Sequence, residues 1–175
     1  MAFSSPIDIL SRFGLHEGHV VADLGAGSGF YTLAAAKLVG EGGKVYAIEI
    51  QKEVLARLVQ HARQEHLKHL IFIHGDAEKP QGSTIADSMV DAVLLCNVLF
   101  QTEQKATLLA EAKRILKPGG RVLVVDWAGS FGGTGPQPQY VVISDMAREL
   151  FKRAGFAEVG PIPAGDHHWG FIFRK

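Results

Sequence analysis

Two hydrophobic patterns alternate along the 175-residue chain. Short apolar runs rich in β-branched residues, such as 90–96, indicate strands that are buried on both faces. Longer stretches place apolar residues three and four positions apart, as Leu55, Leu58 and Ala62 do within 51–65, which indicates amphipathic helices. This alternation predicts an α/β fold, a doubly wound Rossmann-like domain whose mainly parallel sheet carries helices on both faces.

The same patterns predict seven strands and five helices. We expect the strands at 19–24, 44–50, 70–74, 90–96, 121–127, 157–161 and 169–173. We expect the helices at about 6–13, 30–39, 51–65, 103–116 and 144–154. Only the turn-prone residues 163–166 separate the last two strands, and so short a connection joins antiparallel neighbours. The sheet is therefore expected to contain one antiparallel strand, at its C-terminal end.

Composition narrows the class of protein and its partners. The length suits a single domain over 1–175, in which the Gly- and Pro-rich stretch at about 129–138 is a loop rather than a linker. The formal net charge is zero, which disfavours a nucleic-acid partner, and no apolar run approaches the ~18 residues of a membrane span. Residues 1–6 show no secretory-signal pattern, and the single cysteine, Cys96, suits a reducing compartment. We therefore expect a cytoplasmic protein with no membrane partner.

A glycine-rich turn follows the first predicted strand directly. Gly25, Gly27 and Gly29 form the pattern G-x-G-x-G, whereas a dinucleotide-binding turn has G-x-G-x-x-G and would need glycine where Phe30 stands. The spacing therefore disfavours NAD and suits a ligand without a pyrophosphate. Asp23, two residues before the turn, is placed to hold an ammonium group of that ligand. The alternative is an ordinary strand-to-helix turn with no ligand.

Polar side chains also follow the next three predicted strands. Glu49 ends the second strand, where a carboxylate can accept hydrogen bonds from both hydroxyls of a ribose. Asp76 follows the third strand and can accept from an adenine amino group, and Asn97 follows the fourth, where it can orient a substrate. Considered alone, each residue also has an ordinary explanation. Glu49 could be a solvated residue at the start of a helix, and Asp76 could be an ordinary turn residue.

With these residues in view, the sequence resembles class I S-adenosylmethionine-dependent methyltransferases, in the group that includes ubiquinone and menaquinone biosynthesis enzymes. The resemblance rests on five motifs in the expected order, which are 21–29, 45–49, 75–78, 91–95 and 114–123. It implies S-adenosylmethionine as the cofactor, with its methionine part at the glycine turn, its ribose at Glu49, its adenine at Asp76 and its sulfonium near Asn97. The implied cofactor-binding residues are Asp23, Gly25, Ala26, Gly27, Ser28, Gly29, Glu49, Ile50, Asp76, Ala77 and Asn97.

The methyl acceptor is less well indicated than the cofactor. Many relatives have one or two histidines after the fourth strand, where this chain has Phe100 and Gln101, so no catalytic base is assigned. His167 and His168 lack the further ligands of a zinc site, and no metal is expected. A small organic acceptor is the leading hypothesis. The alternatives are a methyltransferase acting on protein or RNA and a cofactor-binding module without activity. The oligomeric state stays open, a homodimer included.

Overall fold

Seven strands form one sheet in the computed structural model, which describes residues 5–175. The strands are β1 Val20–Leu24, β2 Lys44–Glu49, β3 Leu70–His74, β4 Val90–Cys96, β5 Leu116–Trp127, β6 Ala157–Pro161 and β7 His168–Arg174. The helices are α1 Pro6–Phe13, α2 Phe30–Val39, α3 Lys52–Gln64, α4 Lys105–Ile115 and α5 Ser144–Arg153, with short 3-10 helices at Leu99–Gln101 and Pro138–Tyr140. The expectations for residues 1–4 lie outside the described part of the chain.

The order of strands across the sheet is β3-β2-β1-β4-β5-β7-β6. Neighbours from β3 to β5 are parallel, whereas β7 lies between β5 and β6 and runs antiparallel to both. The prediction of one antiparallel C-terminal strand is therefore confirmed. The strand order reverses between β1 and β4, and in doubly wound sheets the crevice at the carboxyl ends of such strands binds ligands.

Side chains alternate between two cores, one on each face of the sheet. Val21 of β1 and Val45 of β2 pack with Phe13 of α1 and with α2 in one buried cluster. Ala22 and Leu24 of β1 point to the other face and pack with α4 and α5 in a second cluster. The helix stripes that the sequence pattern predicted are therefore the surfaces that cover the sheet.

Two boundaries around α4 differ from the sequence prediction. The helix begins at Lys105 rather than near 103, because the Thr102 hydroxyl donates to the Val98 carbonyl at 2.8 Å and closes the preceding 3-10 turn. The helix ends at Ile115, and Leu116 already belongs to β5 because it pairs with Val90. Both differences arise from contacts outside the helix, which periodicity does not report.

No helix connects β3 to β4. The connection over 75–89 is attached to α4 by Glu111, a buried carboxylate that accepts from the Ser83 backbone at 3.1 Å and from Arg114 at 2.7 Å. Glu78 accepts from the backbone N–H groups of Glu103 and Gln104 at the start of α4, at 2.9 and 2.6 Å. Within 5–175, no helix is long and apolar enough to cross a membrane.

Candidate functional site

The glycine turn lies at the carboxyl end of β1, and its three glycines have different structural roles. All three have positive φ, at 83° for Gly25, 53° for Gly27 and 90° for Gly29. A Cβ on Gly25 would lie 2.7 Å from Val98, and one on Gly29 would overlap Leu58, so both positions are filled by packing. A Cβ on Gly27 would meet nothing closer than the Gly25 carbonyl at 3.9 Å. Gly27 therefore exposes bare backbone to open space.

Glu49 joins the end of β2 to this turn. Its Oε2 accepts the backbone N–H of Gly27 and its Oε1 accepts that of Gln51, both at 2.9 Å. The residue is 7% exposed, so the carboxylate is held rigidly between two segments. Each oxygen retains lone pairs that a ligand's hydroxyl groups can use.

Asp23 is the second buried carboxylate of the turn. Its Oδ2 accepts the Thr32 hydroxyl at 2.6 Å. Burial raises the pKa of Asp23 to about 6, and the charge of Glu49 adds to that rise while the Thr32 hydrogen bond opposes it. A cation bound beside Asp23 would stabilise the ionised form.

Two adjoining cavities open around the glycine turn. The larger has a volume of about 320 Å³ and the smaller about 160 Å³, and Gly25, Gly27 and Gln101 line both. Of the residues expected from sequence, Gly25, Gly27, Glu49, Ile50, Asp76 and Ala77 line the larger cavity, and Asp23, Gly25, Ala26, Gly27, Ser28 and Asn97 line the smaller. Gly29 lines neither, since it packs against α3.

Asp76 lies at the far end of the larger cavity, beyond β3. Its Oδ1 accepts the Glu78 backbone N–H at 3.0 Å, and its other oxygen lies 3.2 Å from the Lys79 ammonium. Both partners are local, as in an ordinary turn. Asp76 is therefore less firmly held than Glu49.

Asn97 follows β4 in a left-handed conformation, with φ of 57°. Its backbone N–H donates to the Val125 carbonyl at 2.8 Å, and its own carbonyl accepts from the Gln101 side chain at 3.1 Å. The side-chain oxygen of Asn97 is buried with no hydrogen-bond partner among the described residues. Such conformations and unmet groups concentrate at functional sites.

Asp126, at the end of β5, was not singled out by the sequence. It is fully buried, and its carboxylate accepts the backbone N–H groups of Leu99 and Trp127, both at 2.8 Å. Burial raises its pKa to about 6 in spite of these hydrogen bonds. The carboxylate thereby fixes the 3-10 turn that carries Gln101. An acidic residue at the end of an apolar strand, as at Asp23, was the available signal.

Other candidate groups are distributed unevenly around the cavities. Tyr31 and Cys96 line the smaller cavity, and burial raises the pKa of each.

Trp127 packs on His168 and Phe131 on His167, each pair with ring centroids 4.3 Å apart. No residue of 129–138 lines either cavity, and no group of three or more metal-ligating side chains occurs within 5–175. A larger cavity of about 620 Å³ lies between α4 and α5, away from the glycine turn.

Comparisons with known proteins agree with this geometry. A family model described as "Methyltransferase domain" matches residues 15–154. A "Probable cobalt-precorrin-6B C(15)-methyltransferase (decarboxylating)" of Sulfurisphaera tokodaii is 33% identical over 115 residues, which are 66% of this chain and 57% of that protein. A demethylmenaquinone methyltransferase of a Geobacillus species is 29% identical over 119 residues, 68% of this chain and 50% of that protein.

A solved structure is similar over nearly the whole chain. A SAM-dependent methyltransferase from Aquifex aeolicus superimposes with a TM-score of 0.89 at 28% identity, covering 98% of this chain and 89% of that one. The chain spans only 57% and 50% of the length of the two curated relatives.

Proposed function

The chain belongs to the methyltransferase-domain family, and from that membership we propose that it transfers the methyl group of S-adenosylmethionine to a small organic acceptor. We propose a single domain over 1–175 for this activity. The two relatives described above are named for a cobalt-precorrin and for demethylmenaquinone, and both of these acceptors are small molecules. One observation carries the proposal most directly. Three carboxylates, at the ends of β1, β2 and β3, surround two joined cavities at the reversal of strand order.

The residues present fit the methyl donor. The larger cavity offers the Glu49 carboxylate to the ribose hydroxyls and Asp76 to the adenine amino group. The smaller cavity offers the buried carboxylate of Asp23 to the methionine ammonium. Gly27, whose missing side chain leaves open space between the two cavities, lets the donor lie directly on backbone. Asn97 is the residue we assign to the region of the sulfonium.

The donor supplies a methyl group on positively charged sulfur, which is already activated toward displacement. The acceptor's lone pair forms the new bond as the carbon–sulfur bond breaks, so positioning of the two partners accounts for much of the catalysis. The protein's contribution on the acceptor side is to hold the segment 97–101 rigid through Asp126 and Gln101. Tyr31 and Cys96 keep their protons because burial raises both pKa values, so neither is assigned as a base.

Calorimetric titration tests the donor assignment. We expect the purified protein to bind S-adenosylhomocysteine and not NAD, because the turn has the spacing G-x-G-x-G. Incubation with a labelled methyl donor and pools of small-molecule acceptors then tests transfer. NAD binding without a response to S-adenosylhomocysteine would overturn the donor assignment. Binding without transfer to any pool would instead support a module that binds the donor and has no activity.

A further inference from the structure

A further cavity lies at the opposite edge of the sheet from the glycine turn, at the amino ends of β1 and β4. We call it the amino-end cavity. Its volume is about 230 Å³, and it is lined by His19, Asp91, Ala92 and the stretch 117–121. None of these residues lines either cavity at the glycine turn. The amino-end cavity is therefore separate from the site proposed for methyl transfer.

Asp91 is the carboxylate in this lining, and its charge is balanced. Its Oδ1 lies 2.7 Å from the Lys117 ammonium, and its Oδ2 accepts the Val20 backbone N–H at 2.9 Å. Burial alone would raise the pKa of Asp91, but these hydrogen bonds and the Lys117 charge bring it below its usual value. Glu17 lies beside the turn between α2 and β2, where a Cβ on Gly40 would be 3.5 Å from its Cγ, and it does not line the cavity.

Arg121 supplies a positive charge that no carboxylate balances. Its guanidinium lies over the Phe13 ring, 4.9 Å from the ring centre, and it forms no hydrogen bond or ion pair within 5–175. Stacking on an aromatic face holds a guanidinium in place and leaves its N–H groups available. Arg121 can therefore donate two parallel hydrogen bonds to an oxyanion.

A second arginine lies directly opposite Arg121 on the neighbouring strand. In the antiparallel register of β5 and β7, Arg121 pairs with Arg174, so both side chains lie on the same face of the sheet. Arg174 is exposed and, like Arg121, has no hydrogen bond or ion pair with a described residue. Like charges at opposed positions destabilise a sheet. A bound anion would relieve this repulsion.

His19 reports that positive charge prevails around the cavity. Burial lowers its pKa, and the charges of His16, Arg121 and Lys117 lower it further, whereas Asp91 opposes them. The rings of His16 and His19 are stacked, with centroids 3.5 Å apart. An anion in the cavity would favour protonated His19, which would then add a charged donor.

We propose that the amino-end cavity binds a phosphate group, either inorganic phosphate or the phosphate of a small organic molecule. Arg121 donates the principal hydrogen bonds, because its planar fork matches two phosphate oxygens. Arg174 adds attractive charge from the neighbouring strand, and a doubly charged oxyanion gains more from two cations than a carboxylate does. This binding is independent of the proposed methyl transfer, because the two sites share no residue.

Titration of isotope-labelled protein with inorganic phosphate, followed through backbone amide resonances at constant ionic strength, tests the site. We expect saturable shifts at Gly119 and Gly120, which line the amino-end cavity. A parallel titration with glycerol phosphate separates the two sources, since the tighter-binding probe identifies the natural form. Absence of a saturable shift at these glycines with either probe, or shifts confined to Gly25 and Gly27, would overturn the proposal.

Substitution of the arginines gives a second readout. We expect Arg121→Gln to weaken phosphate binding about tenfold and Arg174→Gln about threefold, because only the first loses the hydrogen-bonding fork. Arg121→Lys keeps the charge without the fork and should lose about threefold, so it decides the matter if Arg121→Gln does not fold.

The matched control is Arg57→Gln, which removes an exposed arginine without an ion pair from α3. We expect unchanged phosphate affinity in this variant. Equal losses in Arg57→Gln and Arg121→Gln would show that only net charge matters. That result, or unchanged affinity in a folded Arg121 variant, would contradict the proposal.

Discussion

The donor side and the acceptor side of the candidate site are built differently. At the ends of β1 and β2, Gly27 and Glu49 lie 22 residues apart in sequence and are joined by a hydrogen bond from the Gly27 N–H to the Glu49 carboxylate. At the ends of β4 and β5, Asn97 and Gln101 are held by Val125 and Asp126, which lie about 25 residues or more away in sequence. Both sides therefore depend on the pairing of strands, but the donor side also has a glycine spacing and strand-end carboxylates that are visible in the sequence.

The largest expected effect tests the donor side. We expect Glu49→Gln to reduce S-adenosylhomocysteine affinity about tenfold or more in calorimetry, because hydrogen bonds to a charged group contribute roughly 1.5–3 kcal/mol. Glutamine has one acceptor oxygen, so the Gly27 or the Gln51 N–H also loses its partner.

Asp76→Ala is the comparison for Glu49→Gln. We expect a loss of only about threefold, since Asp76 makes local contacts and an adenine in the larger cavity would also meet apolar side chains. If Glu49→Gln binds S-adenosylhomocysteine as tightly as the parent does, Glu49 does not anchor the ribose, and its assignment on the donor side is wrong.

A substitution in the turn separates ligand approach from backbone strain. Gly27→Val should weaken S-adenosylhomocysteine binding about fivefold, because the new side chain occupies open space between the cavities. Gly119→Val is the matched control, since Gly119 also has positive φ and nothing within 4 Å of an added Cβ, but lines neither cavity. Equal ligand-induced thermal shifts in the two variants would show that the turn is only structural.

A substitution at Asp126 tests whether the donor side and the acceptor side are independent. Asp126→Ala removes the acceptor for two buried N–H groups, so we expect a loss of roughly 2 kcal/mol in the free energy of unfolding. Because Gln101 lines both cavities, we also expect S-adenosylhomocysteine affinity to fall about threefold. Asp91→Ala, at the other end of β4, removes the acceptor for the Val20 N–H and should lower stability alone. Unchanged affinity in both variants would mean that the sides are separate.

The last expected effect concerns the pH dependence of donor affinity. The pKa of Asp23 is about 6 in the folded chain, above its unfolded value, so its contribution to stability is full below about pH 4 and is lost as pH rises through 6. A bound ammonium favours ionised Asp23, and donor affinity should therefore fall about threefold from pH 7.5 to 5.5. Asp23→Asn should flatten that dependence. A profile that is the same in parent and variant would assign the effect to another group.

The sequence predicts the fold well because periodicity and turns report it directly. Pro6 and Gly14 mark both ends of α1, as observed, and the short turn at 163–166 correctly predicts the antiparallel β7. The start of α4 at Lys105 was missed, because the Thr102 hydroxyl bonds to Val98 instead of capping the helix.

More of the candidate site is predicted from sequence on the donor side than on the acceptor side, where Asn97 alone was expected. The donor-side residues were expected from a glycine spacing and from carboxylates at strand ends, and all except Gly29 line a cavity. Gln101 and Asp126 were not assigned roles, because their positions follow from the pairing of β4 with β5 and from a buried hydrogen bond. No local pattern of residue types reports such contacts.

The position of β7 has a consequence for how the chain is synthesised. β7 is the last strand in the sequence, yet it lies inside the sheet and supplies the partner for both β5 and β6. A nascent chain that has not yet reached residue 168 presents the apolar strand Val122, Leu123, Val124 and Val125 with one edge unpaired. Such edges pair readily with other chains. Stalled or truncated translation products of this protein are therefore expected to aggregate, and folding of the sheet to be completed only after translation of β7.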